Sequence, residues 1–387
     1  MVVLGVVIGL LVLVFLVAIH ELGHAVVAKR NGVEVEEYGI GFPPRAKKWQ
    51  PKQSFLGKNV VFSLNWLPLG GFVKLKGEYD SARGKGAYGA AGYWVKTKIL
   101  LAGVLVNWLA AVVLFAVLAV FGLPKILPNQ VMLPFDNTSV KTPVKIVRLT
   151  EGSPAAQVGL RADDEIIAIN EKPIDTSAQL SEVTQQSSGQ TVNIEVKRNK
   201  QPLHFRTTLL SRDQAKNGGY LGVVPHQSET IHATWSAPLV GVATTVQLTH
   251  ETLKGVGSMI AQGIGGFLGQ FVGSPEQKQA AKADLAKVGN NVAGPVGILG
   301  VLFPSVVNSG LTQVLLLAAI ISLTLAVMNI LPIPALDGGR WFTMTIFRLL
   351  KKPLTKDREE TIQATGFLIL MALTIVVTWN DIAKLFT

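Results

Sequence analysis

Val2 to Ile19 is one unbroken apolar run without a charge, and the pattern continues helically through Ala25, Val26, Val27 and Ala28 before Lys29 and Arg30 close it. About 20 such residues, at a helical rise near 1.5 Å each, cross the hydrocarbon of a bilayer, so this segment predicts a transmembrane helix. Further apolar runs at Ile99 to Leu123, Leu311 to Ile330 and Ile362 to Trp379 predict three more spans. A cleaved signal peptide would need a basic start and a small-residue cleavage site after a short apolar core, and the first run has neither.

Between the first two spans the period changes. Tyr38 to Phe42 reads Tyr-Gly-Ile-Gly-Phe, and Asn59 to Leu75 reads NVVFSLNWLPLGGFVKL, β-forming residues broken by Pro68-Leu69-Gly70-Gly71. This predicts a strand, a tight turn and a second strand, a hairpin over 59–75. It is too apolar for a free loop. A hairpin dipping into the membrane face is the expectation, since non-helical backbone persists there only when buried in protein or lining a wet cavity.

From Pro143 to Pro225 the character is that of a small soluble α+β domain. Val144 to Leu149 and Glu165 to Asn170 read as strands, Ser153 to Val158 and Ala178 to Gln186 as helices, and Val192, Ile194 and Val196 alternate before a turn at Asn199 to Pro202. His232 to Phe271 is apolar and Gly-rich but carries His250, Glu251 and Lys254 at its middle, where charges in hydrocarbon are costly. An amphipathic helix on the outer face is therefore expected there. A span at that point would also carry Asp337 to the side opposite His20. The domain boundaries that follow are an N-terminal membrane domain at 1–122, the inserted domain at 141–226, amphipathic extracytoplasmic helices at 228–290 and a C-terminal membrane domain at 291–387.

Composition supports the bilayer as solvent: of 387 residues, 49% are apolar and only 16% charged. There is no cysteine, which removes disulfides and thiolate metal sites. The net charge of +11 is placed unevenly, with 13 basic against 5 acidic residues over 29–98 and 6 against 3 over 340–361, but 16 against 14 over 123–310. Short basic loops stay in the cytoplasm while a long balanced segment is translocated. Both termini are then expected outside, in a multi-pass protein of the cell's inner (plasma) membrane. Aromatic residues do not interleave with the basic ones, so no nucleic-acid partner is expected.

The candidate chemistry sits inside the first span. His20-Glu21-Leu22-Gly23-His24 sets two imidazoles one helical turn apart on one face, where both can hold one ion while Glu21 acts on a water as general base. Ionisable groups within a membrane segment are expensive and mark function by default. A catalytic zinc site takes three protein ligands and leaves one position open. His204, His226, His232 and His250 all fall in the translocated segment, and Lys254 stands where a second histidine after His250-Glu251 would be required. Asp337 is the best candidate for the third ligand. It follows Asn329-Ile330-Leu331-Pro332-Ile333-Pro334-Ala335-Leu336 and precedes Gly338-Gly339, so prolines break the helix and glycines allow close backbone approach.

These motifs, with LPLGGFVKLKGE and Gly294-Pro295-Val296-Gly297-Ile298, resemble the site-2 protease family of intramembrane zinc metalloproteases, in the bacterial branch that includes the regulator-of-sigma-E protease. The resemblance implies that His20, His24 and Asp337 hold Zn2+, that Glu21 activates water and that Asn329 holds substrate near the metal. It also implies a membrane-entering hairpin over 59–75, with Asn65, Leu67, Gly70 and Gly71 against the substrate and Gly39 and Gly41 as a Gly-x-Gly substrate element. Glu151 to Ala156, Gly159-Leu160 and Asp163 to Asn170 resemble a circularly permuted PDZ domain, whose Tyr220-Leu221-Gly222 loop would receive a peptide end. This sequence has room for one such domain. Together these readings give a polytopic α-helical membrane protein with four transmembrane helices, a membrane-associated β-hairpin and an inserted extracytoplasmic PDZ-like α+β domain. The implied activity is regulated intramembrane proteolysis of single-span proteins, anti-sigma-factor-like proteins or signal-peptide remnants, after a first cleavage elsewhere. The partners implied are those substrates, the lipid bilayer and a peptide or protein ligand of the PDZ-like domain. A non-catalytic scaffold is the competing reading, but binding alone needs no general base. An ion-coupled transporter using Glu21 and Asp337 would show related halves, and none are visible.

Overall fold

The computed structural model of the protein describes residues 2–215, 219–269, 279 and 293–384. The chain divides into two compact units, one from its two ends (1–121 with 235–387) and one from 122–234.

Helices of the larger unit are numbered α1 (Val2–Arg30), α2 (Tyr93–Phe121), α3 (Ala237–Gly269), α4 (Pro295–Ser309), α5 (Leu311–Ile330), α6 (Asp337–Leu349) and α7 (Lys356–Lys384). Among the described residues α1, α2, α5 and α7 are the helices long and apolar enough to cross a membrane. Small residues set their spacing. A Cβ on Gly5 would meet Pro304 of α4 at 2.4 Å, and one on Gly23 would meet the Ala102 carbonyl of α2 at 2.9 Å. Such close approach is how helices associate where no hydrophobic gain is available.

The segment expected on the outer face is the helix α3, which packs against α2. A Cβ on Gly241 would meet the Val112 carbonyl at 2.7 Å, and eight residues on, Thr249 accepts a hydrogen bond from the Trp108 indole at 3.1 Å. The reason is that this face makes few polar demands. Thr245 donates to the Gly241 carbonyl and Thr249 to the Thr245 carbonyl, so their hydroxyls are satisfied within the helix. His250, Glu251 and Lys254 are exposed. Most of 270–292, the rest of the predicted helical segment, lies outside the described residues.

The hairpin over 59–75 is also rearranged. Its two halves do not pair with each other, because residues 36–40 of the strand Val35–Trp49 run between them. Gly39 faces Phe72 on one side and Ser63 on the other, and Lys48 faces Ser63 from the far side, giving the order 71–75, 35–40, 61–65, 45–49. Gly39 permits the insertion, since a Cβ there would strike the Phe72 ring at 2.5 Å. Sequence periodicity identified the strands but not this interleaving, which depends on pairs distant along the chain.

Buried charges lock the end of this unit where the motifs lie. Arg340 of α6 donates to Glu359 of α7 at 3.1 Å and to the Glu78 carbonyl, and its guanidinium lies 5.4 Å from the Tyr88 ring centre. Glu359 also accepts from the Asp80 N–H at 2.8 Å, and Asp80 pairs with Lys96 of α2 at 2.5 Å.

The smaller unit is mixed α+β. Its main sheet runs 201–208, 191–198, 165–169, 144–149, 223–226, and the alternating Val192, Ile194 and Val196 are fully buried with Val144, Ile146 and Ile169. The helix Ser177–Gln186 starts with a capping box between Thr176 and Gln179. Strands 123–124, 138–141 and 229–232 form a second sheet, so the unit extends beyond the predicted 141–226 at both ends.

Candidate metal and catalytic site

His20 and His24 lie one turn apart on α1, both nearly closed off from solvent at 7% and 6% exposure. Asp337 arrives from the far end of the chain. It opens α6 after a loop that turns at Ala335 with φ of 76°, and the glycines behind it leave no room for side chains. A Cβ on Gly338 would lie 2.1 Å from the Ile330 carbonyl oxygen, and one on Gly339 1.9 Å from that of Ile333. The break expected from the prolines is thus folded back on itself, aiming the carboxylate at the histidines.

The three candidate donor atoms form a nearly equilateral triangle. His20 Nε2 is 3.0 Å from Asp337 Oδ2, His24 Nε2 is 3.3 Å from the same oxygen, and the two nitrogens are 3.2 Å apart. A tetrahedral zinc centre with bonds of about 2.0–2.1 Å has ligand-to-ligand edges of about 3.3–3.4 Å, so the donor set fits that ion in size as well as in chemistry. The second helix leaves the space open: a Cβ on Gly103 of α2 would come within 2.4 Å of His24 Nε2. Burial alone would raise the Asp337 carboxyl, but the His24 and His20 imidazoles hold it well below the usual carboxylate range.

Glu21 stands on the adjoining face of α1 beside the strand 71–75. Its carboxylate accepts the Val73 backbone N–H, and a Cβ on Gly71 would lie 3.4 Å from Glu21 Cγ. Tyr38 fixes the sheet to the same helix, donating its hydroxyl to the Ala18 carbonyl at 2.7 Å; burial and the nearby Glu21 charge push the phenol up to about 12, so it keeps the proton it donates.

The predicted substrate residues are more dispersed. Gly39 lies inside the sheet, and Gly41, at φ of 79°, fits where a Cβ would meet the Leu67 carbonyl at 2.5 Å, so both serve packing directly. The Asn65 amide donates to the Ile40 and Gly41 carbonyls. Leu67 is exposed at the tip, while Gly70 and Gly71 begin the strand beside Glu21. Asn329 is half-buried in the last turn of α5. In the smaller unit the carbonyls of Tyr220, Leu221 and Gly222 all accept inward bonds, from Leu210, Ala155 and Thr150. A trans peptide points its C=O and the next N–H in opposite directions, so the Leu221 and Gly222 amides point away from those partners.

Sequence reasoning missed Gly103 and Asn107 of α2, which touch the two histidines. A signal for each was present: an isolated glycine within an apolar helix marks close packing, and an amide within a span marks a functional contact.

A model of peptidase family M50 matches residues 8–373. A protein of Clostridium acetobutylicum named provisionally as a zinc metalloprotease is 29% identical, covering 98% of this chain and 97% of its own. The regulator of sigma-W protease RasP of Bacillus subtilis is 25% identical, covering 96% of each chain, and the zinc metalloprotease RasP of Geobacillus kaustophilus is 26% identical with the same coverage. A solved PDZ domain from Listeria monocytogenes matches 24% of this chain and 93% of its own at 21% identity, with a TM-score of 0.19, too low to bear on the fold.

Proposed function

Since this chain belongs to peptidase family M50 and is an intramembrane zinc metalloprotease, we propose that His20, His24 and Asp337 hold its zinc and that Glu21 is its general base. The observation that carries this is the triangle of donor atoms with edges of 3.0, 3.2 and 3.3 Å. Zinc held there supplies a Lewis acid for the peptide carbonyl and lowers the pKa of water to about 7. Glu21 takes the proton from the attacking water and returns it to the leaving amine, held meanwhile by the Val73 N–H.

The substrates we infer are single-span membrane proteins already shortened by another protease, of the anti-sigma-factor or signal-peptide-remnant kind. A helical peptide hides its backbone, so the substrate must be held extended. Residues 66–71 suit that role, because Trp66 and Leu67 are exposed at 71% and 54% and Gly71 adjoins Glu21. Asn329 would steady the chain from α5, and the Leu221 and Gly222 amides would receive a peptide end in the extracytoplasmic unit.

The test is metal analysis together with cleavage of single-span substrates. The wild type should hold one zinc. Glu21→Gln should keep it and lose about 10²- to 10⁴-fold in rate, because the amide cannot accept the proton. Asp337→Ala should lose metal and activity together. Unchanged zinc content in Asp337→Ala would remove that residue from the site.

A further inference from the structure

His24 Nδ1 donates to the Ile99 carbonyl of α2 at 2.7 Å, so Nδ1 carries a proton and, in the neutral ring, Nε2 is the nitrogen left to hold a metal. For His20 to hold a metal through Nε2 as well, its proton must also sit on Nδ1 and find an acceptor. The group placed there is the side-chain amide of Asn107, 3.3 Å from His20 Nδ1 and 1% exposed. As placed, the Asn107 nitrogen faces the ring, while its Oδ1 is buried without a hydrogen-bond partner. That arrangement matches the other tautomer, in which His20 Nε2–H donates to Asp337 across 3.0 Å and Nδ1 accepts.

We propose that Asn107 is the positioning residue that sets the tautomer of His20, its amide turned so that Oδ1 accepts from Nδ1–H when zinc is held. The amide can serve both tautomers because its two ends exchange donor for acceptor by a half-turn. Its backbone is held while it turns, since Ser322 of α5, itself fully buried, donates to the Asn107 carbonyl at 2.8 Å. The three transmembrane helices therefore share the work around His20. α1 brings the ring, α2 the amide, and α5 the clamp on that amide's backbone. Groups that orient a metal-bound imidazole commonly account for about 10- to 100-fold in metal affinity.

This inference rests on the zinc-site reading above, and the experiment separates the two. Zinc affinity is measured by chelator competition, and the visible absorption of the Co2+-substituted protein reports ligand geometry independently of activity. Asn107→Leu, which removes the acceptor, should weaken zinc about 10- to 100-fold and alter the Co2+ spectrum. Asn107→Asp, which keeps the acceptor, should stay within about threefold of wild type, below the range of such outer-ligand losses, and keep the spectrum. Wild-type affinity in Asn107→Leu overturns the proposal, as does an equal loss in a folded Asn107→Asp. Where the leucine variant fails to fold, the aspartate variant decides alone by the same criterion. His24→Ala is the control: if it binds zinc as the wild type does, the site reading fails, whereas loss there with none in Asn107→Leu defeats only the role of Asn107.

Discussion

A methyl group on Gly103 would land 2.4 Å from His24 Nε2 and 2.7 Å from His20 Nε2. Neither ring can retreat freely, because His24 is bonded to the Ile99 carbonyl and His20 to Asn107. We expect Gly103→Ala to weaken zinc binding by about tenfold or more, the scale at which disturbed ligand orientation is felt. Gly255→Ala, on α3 where a Cβ meets nothing within 4 Å, is the matched control and should bind as wild type. Equal zinc affinity in both variants would show that α2 yields at Gly103. At this scale the sequence brought out the two candidate histidines, since His20 and His24 need only helical spacing to share a face. It offered only a general signal at Gly103 and Asn107, because their partners depend on which turn of α2 faces α1.

Among the elements, the main sheet of the smaller unit offers a charge test free of metal. Asp164 is fully buried and takes both Arg198 Nε at 2.6 Å and Arg198 Nη2 at 2.7 Å, with the Arg161 N–H at 2.8 Å. Burial would raise its carboxyl, but these donors outweigh it and hold the group below its ordinary 3.8. A lowered carboxyl stabilises the fold fully above that ordinary value and loses the contribution as pH falls through the lowered one. Arg198→Met leaves the charge buried and unpaired, which costs about 3–5 kcal/mol. Hydrogen exchange across 122–234 should accelerate at neutral pH, and the acid unfolding limb should move to higher pH. An unshifted acid limb would mean that Asp164 does not report on this unit's stability. The elements of this unit were legible because period-2 alternation marks strands locally. The strand interleaving beside Glu21 was not, because residues 36–40 and 61–75 read alike whether or not one is threaded through the other.

For the whole molecule, the charge pattern and the division into two units each predict an outcome. A reporter fused at Ser211 should lie outside the cytoplasm and one near Lys352 inside, as the basic loops and the balanced insert require. Both reporters in one compartment would refute the four-span order. Every donor of the proposed zinc site belongs to the larger unit, so replacing 122–234 by a flexible linker should leave one zinc per chain. The same variant should cleave a shortened substrate as before and newly cleave its full-length form, if the insert acts as a size filter. Loss of zinc would instead tie the insert to the site's assembly.

The sequence by itself marked four helices apolar enough to cross a bilayer, the α+β insert and the pairing of His20 with His24 on one helical face, because apolar runs, period-2 alternation and helical spacing are local and survive without knowledge of neighbours. It also marked Asp337 as the candidate third ligand by its broken-helix setting, though 313 residues separate it from His24. Only the tertiary structure decided that this carboxylate meets both imidazoles, that 36–40 threads the supposed hairpin and that α3 lies along α2. Those three depend on contacts between segments far apart in the chain, made possible by Gly338 and Gly339, Gly39 and Gly241, whose missing side chains permit close approach without naming the partner.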